Sequence, residues 1–234
     1  MTARLVPRWQ IILVLVGFPL LYMLNSFAPW SVRLFGAKDR AAFFPFFISV
    51  LTLHWLSVAV TVFFVRKAGL TLADLHLNLS SRKAASIASK LIAVGLLFVV
   101  FRQLVPYSAT RPGWLVFFPA NLSESIFWIP VAISAGFCEE LVYRGFGITV
   151  LQSRGFRLWQ AVLLTTLSFV FMHGPGGIFG FPVFFLAGLL FAGIYLGRVG
   201  GVGPRGLIRP TRRRSLLRVM VIHAVGDMTA ILLP

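Results

Sequence analysis

Two adjacent carboxylates, Glu139 and Glu140, lie with Arg144 inside an apolar run that begins near Ile126. The 234-residue chain has only six acidic residues: Asp39, Asp74, Glu124, Glu139, Glu140 and Asp227. An ionisable side chain at membrane depth costs at least ~2.5–3.5 kcal/mol on lenient insertion scales, so a buried pair needs partners. Spacing suggests them. Glu140 and Arg144 are four apart and share a helical face, where they neutralise each other. Glu139 is turned by about 100° from Glu140 and cannot share that pairing fully. The expected division is a structural ion pair, Glu140 with Arg144, and a free carboxylate, Glu139. Two further hydrophobic segments carry ionisable groups. Phe169 and His173 share a face in one, and His223 and Asp227 are four apart in the other.

A free glutamate and two histidines converging on one cavity can act in two related ways. Glu139, His173 and His223 could hold a zinc ion with water in the open position. A metal-free route is equally compatible: Glu139 acts as general base on water, helped by His173. His223 is then available to stabilise an oxyanion. Either route hydrolyses a peptide bond within or beside the membrane. No Ser-His pairing or Gly-x-Ser-x-Gly elbow supports serine chemistry. The contrasting reading is a non-catalytic membrane protein, an immunity factor or small transporter, whose polar network only fixes helix packing. A lone histidine in a span reads as a hydrogen-bonded packing residue, and His54 is read so; His76 falls in a connector. The single cysteine, Cys138, excludes an intrachain disulfide and reads as a small packing residue.

The elements that must position these groups are membrane helices. Hydrophobic residues make up 58% and charged residues 12%, against roughly 45–50% and 25% in soluble domains. Mean hydropathy is +0.89. The class is an all-α polytopic transmembrane helix bundle of about seven, or eight, spans. Hydrophobic runs place helices at about Trp9–Trp30, Ala41–Val65, Ala84–Val105, Leu122–Leu151, Leu158–His173, Phe179–Val199 and Ser215–Leu233. The leucine-bearing stretch from Gly69 to Lys83 reads as a surface connector lying on the membrane. Pro106–Asn121 reads as a loop, and Gly174-Pro-Gly-Gly177 as a helix stop. Residues 1–121 form an N-terminal region of three spans, and 122–234 the core that carries the polar residues. The net charge of +16 does not imply nucleic-acid binding, because the cations lie mostly between apolar runs. With the N-terminus inside, 15 Lys and Arg fall on the inner side and 5 on the outer, so an N-terminus in the cytoplasm and residence in the cell (inner) membrane are expected.

Glu139-Glu140-x-x-x-Arg144, Phe169-x-x-x-His173 and His223-x-x-x-Asp227, in that order on three hydrophobic segments, resemble the three-motif pattern of the CPBP family. That family comprises type II CAAX prenyl-protein endopeptidases together with bacteriocin-processing and abortive-infection proteins. The resemblance implies a glutamate-dependent intramembrane endopeptidase, long described as a metalloprotease, acting on a membrane-associated protein or peptide in a lipid environment. It assigns water activation to Glu139 and His173, and oxyanion stabilisation to His223 and the residue four beyond it. That last position is often Asn in the prenyl-protein proteases and is Asp227 here. An ionised Asp cannot donate to an oxyanion, so Asp227 must be protonated, orient His223, or help bind a metal.

Overall fold

The computed structural model describes residues 5–36, 38–77, 79–104, 117–174, 178, 180–197 and 214–233. Among them, eight helices follow in chain order and no strand occurs. They are α1 (Arg8–Asn25), α2 (Pro29–Phe35), α3 (Arg40–Lys67), α4 (Ser81–Gln103), α5 (Leu122–Ser153), α6 (Leu158–Met172), α7 (Phe181–Tyr195) and α8 (Leu216–Met228). A 3-10 turn, Thr229–Leu232, follows α8. The expected all-α bundle is therefore what the chain forms. Helices α1, α3, α4 and α5, with 18, 28, 23 and 32 residues, are long and apolar enough to cross a bilayer. Helices α6, α7 and α8 have 15, 15 and 13 residues. The expected loop lies mostly outside the described residues, as do Pro175–Gly177 of the helix stop and most of the arginine-rich stretch before α8.

Prolines set the differences from the expected boundaries. The first hydrophobic run does not reach Trp30 as one helix. Pro29 disfavours the helical conformation at the residue before it, and Ala28 is extended with ψ of 153°. Helix α1 accordingly ends at Asn25, and Pro29 starts α2. Inside α1, Pro19 has no N–H to offer the carbonyl of Leu15 four residues earlier. The helix widens to a π-turn at Leu13–Gly17, and the Ser168 hydroxyl of α6 donates to the Leu15 carbonyl at 2.5 Å. A lost helical bond thus becomes a tie between two helices.

Helix α5 is the axis of the bundle. Its most apolar stretch is 72% buried, against 17–33% for the other three long helices. It packs against α3, α4, α6 and α8. The Asn121 side chain accepts from the Glu124 amide and caps its first turn. After Glu140 the helix widens into a π-helix over Leu141–Ile148. Where α5 meets α8 the backbones nearly touch. A Cβ on Gly136 would lie 2.6 Å from the Ala224 nitrogen and 2.7 Å from the Met220 carbonyl oxygen. Small residues at such a crossing let membrane helices approach closely.

Two apolar clusters fill the interior. One gathers Phe43, Phe46, Phe47, Trp128, Ile129, Ala132 and Ile231. The other gathers Leu75, Val58, Leu141, Phe146, Ile148, Leu216 and Met220. His54 of α3 lies between Phe47 and Val58, Glu139 of α5 between Ala132 and Leu141, and His223 of α8 between Met220 and Ala224. Each ionisable group thus falls where one cluster gives way to the other.

Two leucines of the stretch from Gly69 to Lys83 turn into the bundle. Leu75 and Leu77 are fully buried in the second cluster, and Leu75 packs beside Gly145 and Leu216. Asp74 accepts from the Thr71 amide and hydroxyl, each at 2.7 Å, and these bonds hold its carboxyl below the usual range. The outer surface is apolar instead: Ile92, Leu96, Leu97, Val100 and Phe101 of α4 and Val183, Leu186 and Leu190 of α7 are exposed. Such a surface is stable only against lipid, and the chain is an integral membrane protein.

The α5–α8 crossing yields a direct comparison. Gly136→Ala should destabilise the purified protein by ~1–3 kcal/mol through overpacking against backbone. Gly226→Ala, on α8 with nothing within 4 Å of the added carbon, should be neutral or gain up to ~1 kcal/mol of helix propensity. Thermal unfolding in detergent distinguishes the two, and equal melting temperatures would refute the close approach.

Candidate active site

Glu140 and Arg144 form the expected pair. The Arg144 Nη1 donates to Glu140 Oε1 at 2.9 Å, and both side chains are at most 1% exposed. The guanidinium has further partners. Its Nη2 donates to the Gly188 carbonyl of α7 at 3.1 Å, and its carbon sits 4.6 Å from the Phe169 ring centre and 5.6 Å from that of Phe191. Two aromatic faces, one carboxylate and one carbonyl leave this cation little need of water.

Glu140 does more than neutralise Arg144. Its Oε1 also accepts from His223 Nδ1 at 2.8 Å. A carboxylate only accepts, so the Nδ1 hydrogen of His223 is committed to Glu140. The His223 ring stacks on Phe191, with centroids 4.3 Å apart and planes 22° apart. Its Nε2 then faces between Glu139 Oε2, at 3.8 Å, and Asp227 Oδ2, at 3.5 Å. Glu140 therefore joins α5 to α8, as well as serving Arg144 within α5.

Glu139 is 5% exposed. Its Oε1 lies 3.0 Å from Nε2 of His54, on α3. His54, read as a hydrogen-bonded packing residue, is buried and hydrogen-bonded, and its partner is the free carboxylate. A lone histidine has no partner on its own helix, so no local spacing reports it. The usable signal was its depth near the middle of a long span, the same argument that singled out His173 and His223. Glu139 Oε2 has no hydrogen-bond partner among the described residues, and neither has His54 Nδ1. Both residues line a narrow cavity with Phe18, Tyr22, Ser57, Cys138, Val142, Tyr143 and Met172.

His173 caps the C-terminus of α6. Its Nδ1 bonds the Phe169 carbonyl at 2.8 Å, which fixes the hydrogen on Nδ1 and leaves Nε2 free in the neutral ring. The ring lies 4.8 Å from that of Phe169 and 4.1 Å from that of Phe184. Gly174 follows at φ +60°, the left-handed conformation that ends helices. No hydrogen bond joins His173 to Glu139. Asp227 is the accessible acid of the group, with a side chain 35% exposed. Its carbonyl accepts from the Trp128 indole at 2.8 Å, which ties α8 back to α5.

The structure thus brings Glu139, Glu140, Arg144, His223 and Asp227 into one connected group, adds His54, and sets His173 at its edge. Among the described residues, no three His, Cys, Asp or Glu side chains gather as a metal-ligand set. The Nδ1 atoms of His173 and His223 are hydrogen-bonded to Phe169 and Glu140, which leaves their Nε2 atoms and Glu139 as the donors a metal would use.

Residues 121–229 match the family model described as Rce1-like, type II CAAX prenyl endopeptidase. No curated protein and no solved structure matches the chain. The matched segment contains Glu139, Glu140, Arg144, His173, His223 and Asp227 but not His54.

Removing the charge of Glu140 strands the Arg144 guanidinium and weakens the acceptor of His223 Nδ1 in a buried site. Glu140→Gln should cost ~3–5 kcal/mol, the scale for breaking a buried pair from one side. The measurement is the yield and melting temperature of purified protein. A variant as abundant and as stable as the wild type would show that Glu140 does not hold α5 and α8 together.

Proposed function

We propose, from the match of residues 121–229 to the Rce1-like type II CAAX prenyl endopeptidase model, that the chain is an intramembrane endopeptidase in which Glu139 activates water. The observation that carries this reading is Glu139 Oε2: a buried carboxylate oxygen with no hydrogen-bond partner among the described residues, lining a narrow crevice. A buried acceptor left open in this way costs stability unless something else uses it. The crevice beside it is too tight for a water as the side chains stand, so the reacting water enters with the substrate when they part.

Glu139 Oε2 takes a proton from water as its oxygen bonds to the scissile carbonyl carbon. Negative charge then builds on the carbonyl oxygen, and His223 Nε2 is the donor placed to meet it. The Nδ1 hydrogen is held by Glu140, so Nε2 donates when the ring carries both protons, and Asp227 beside it balances that charge. This gives Asp227 a role in orienting His223 that needs no donation of its own. His173, with Nδ1 committed to Phe169, has Nε2 available to hold the attacking water. Collapse of the tetrahedral species breaks the C–N bond, and Glu139 returns its proton to the leaving nitrogen.

The substrate class is a membrane-associated protein or peptide, either a prenylated CAAX terminus or a membrane-anchored precursor. The excess of Lys and Arg on one set of connections supports an N-terminus in the cytoplasm and residence in the cell membrane.

The test uses purified protein in lipid vesicles. It is given a quenched fluorescent peptide ending in a farnesylated Cys-aliphatic-aliphatic-X sequence, and the same peptide without the prenyl group. Wild type should cleave at least one, and Glu139→Gln should lose at least ~100-fold in kcat with near-normal abundance, the scale of a lost general base. Cleavage of only the farnesylated peptide would identify the CAAX substrate. A folded wild type that cleaves neither peptide, or a Glu139→Gln variant as active as wild type, would refute the enzyme.

A further inference from the structure

We propose that His54 is a positioning residue for Glu139, holding one carboxylate oxygen so that the other is presented to water. The inference rests on the reading of Glu139 as the base, and it extends the site to α3, a helix outside the matched segment 121–229. His54 Nε2 and Glu139 Oε1 are 3.0 Å apart, and their side chains are 4% and 5% exposed. Because the carboxylate only accepts, Nε2 carries the hydrogen. In the neutral ring Nδ1 is then an acceptor, and it is buried without a protein partner beside the same cavity. A histidine present only for packing would not need its single protein hydrogen bond aimed at this carboxylate.

Rotation of a carboxylate about its last torsion is broad and nearly two-fold. An unanchored Glu139 would exchange its two oxygens and spread its lone pairs across the cavity. His54 is the one hydrogen-bond donor to that carboxylate among the described residues. His223 Nε2 is 3.8 Å from Oε2, too far for a hydrogen bond, and His173 makes none. The Tyr22 ring packs against the His54 ring, with centroids 5.5 Å apart. Selecting one carboxylate orientation matters for rate, since misplacement of about 1 Å can cost ~100-fold.

Three substitutions test this, assayed with whichever peptide described above the wild type cleaves. Gln at position 54 places an amide donor at the reach of Nε2, Asn places it at the reach of Nδ1, and Phe has none. His54→Gln should keep kcat within about 5-fold of wild type, whereas His54→Asn and His54→Phe should lose ~10–100-fold in kcat with KM unchanged. Equal kcat values for the Gln and Asn variants, or a wild-type kcat for His54→Phe, would overturn the positioning role. Should His54→Phe fail to fold, the contrast between Gln and Asn decides alone. An inactive Glu139→Gln beside a fully active His54→Phe would leave the enzyme standing and remove only His54. Activity in Glu139→Gln equal to wild type would remove both.

Discussion

Everything in this bundle answers to one constraint: Glu140 is a fully buried carboxylate in a protein whose surroundings are lipid. Two donors converge on its Oε1, the Arg144 guanidinium and the His223 Nδ1. Each donor is then held by a different neighbour, Arg144 by the Gly188 carbonyl and His223 by the Phe191 face. One acid therefore sets the relation of α5, α7 and α8. Burying such a group is a poor way to gain stability, but it imposes one geometry. Any slip of α8 along α5 would unpair a charge where no water waits to solvate it.

That geometry has room because the backbone departs from the α-helix at the right places. The π-helix over Leu141–Ile148 begins where the acidic pair ends, and π-turns recur at functional sites because they redirect side chains. The π-turn in α1 follows from Pro19 and frees Leu15 to bind Ser168. Gly136 then lets α8 approach until backbone meets backbone. The two apolar clusters lock these elements from either end, and the polar groups are left at their junction.

How much of this could be read from the sequence depended on whether the signal was local. The places of the long hydrophobic helices, the Glu140–Arg144 pair and the Phe169–His173 relation are all within four residues or one run of chain, and these were legible. Bonds across the bundle were not. His54 and Glu139 are 85 residues apart, and His223 and Glu140 are 83 apart; no periodicity encodes either contact. Helix α1 was read as too long because apolar composition outweighed the restriction that Pro29 places on Ala28. The leucines of the Gly69–Lys83 connector looked interfacial because composition cannot tell a lipid headgroup layer from the open end of a bundle.

The short helices have a consequence for the lipid itself. At 1.5 Å per residue, α6 and α7 with 15 residues each span only ~22 Å, against a hydrocarbon core of ~30 Å. A bilayer meets such a mismatch by thinning locally. On the flank made by α6 and α7, acyl chains must splay or shorten, and the aqueous boundary dips toward the protein. His173 sits at the very end of α6. A dimple there would bring solvent to the rim of an otherwise dry interior, so membrane thickness would govern how readily a hydrolytic site is wetted.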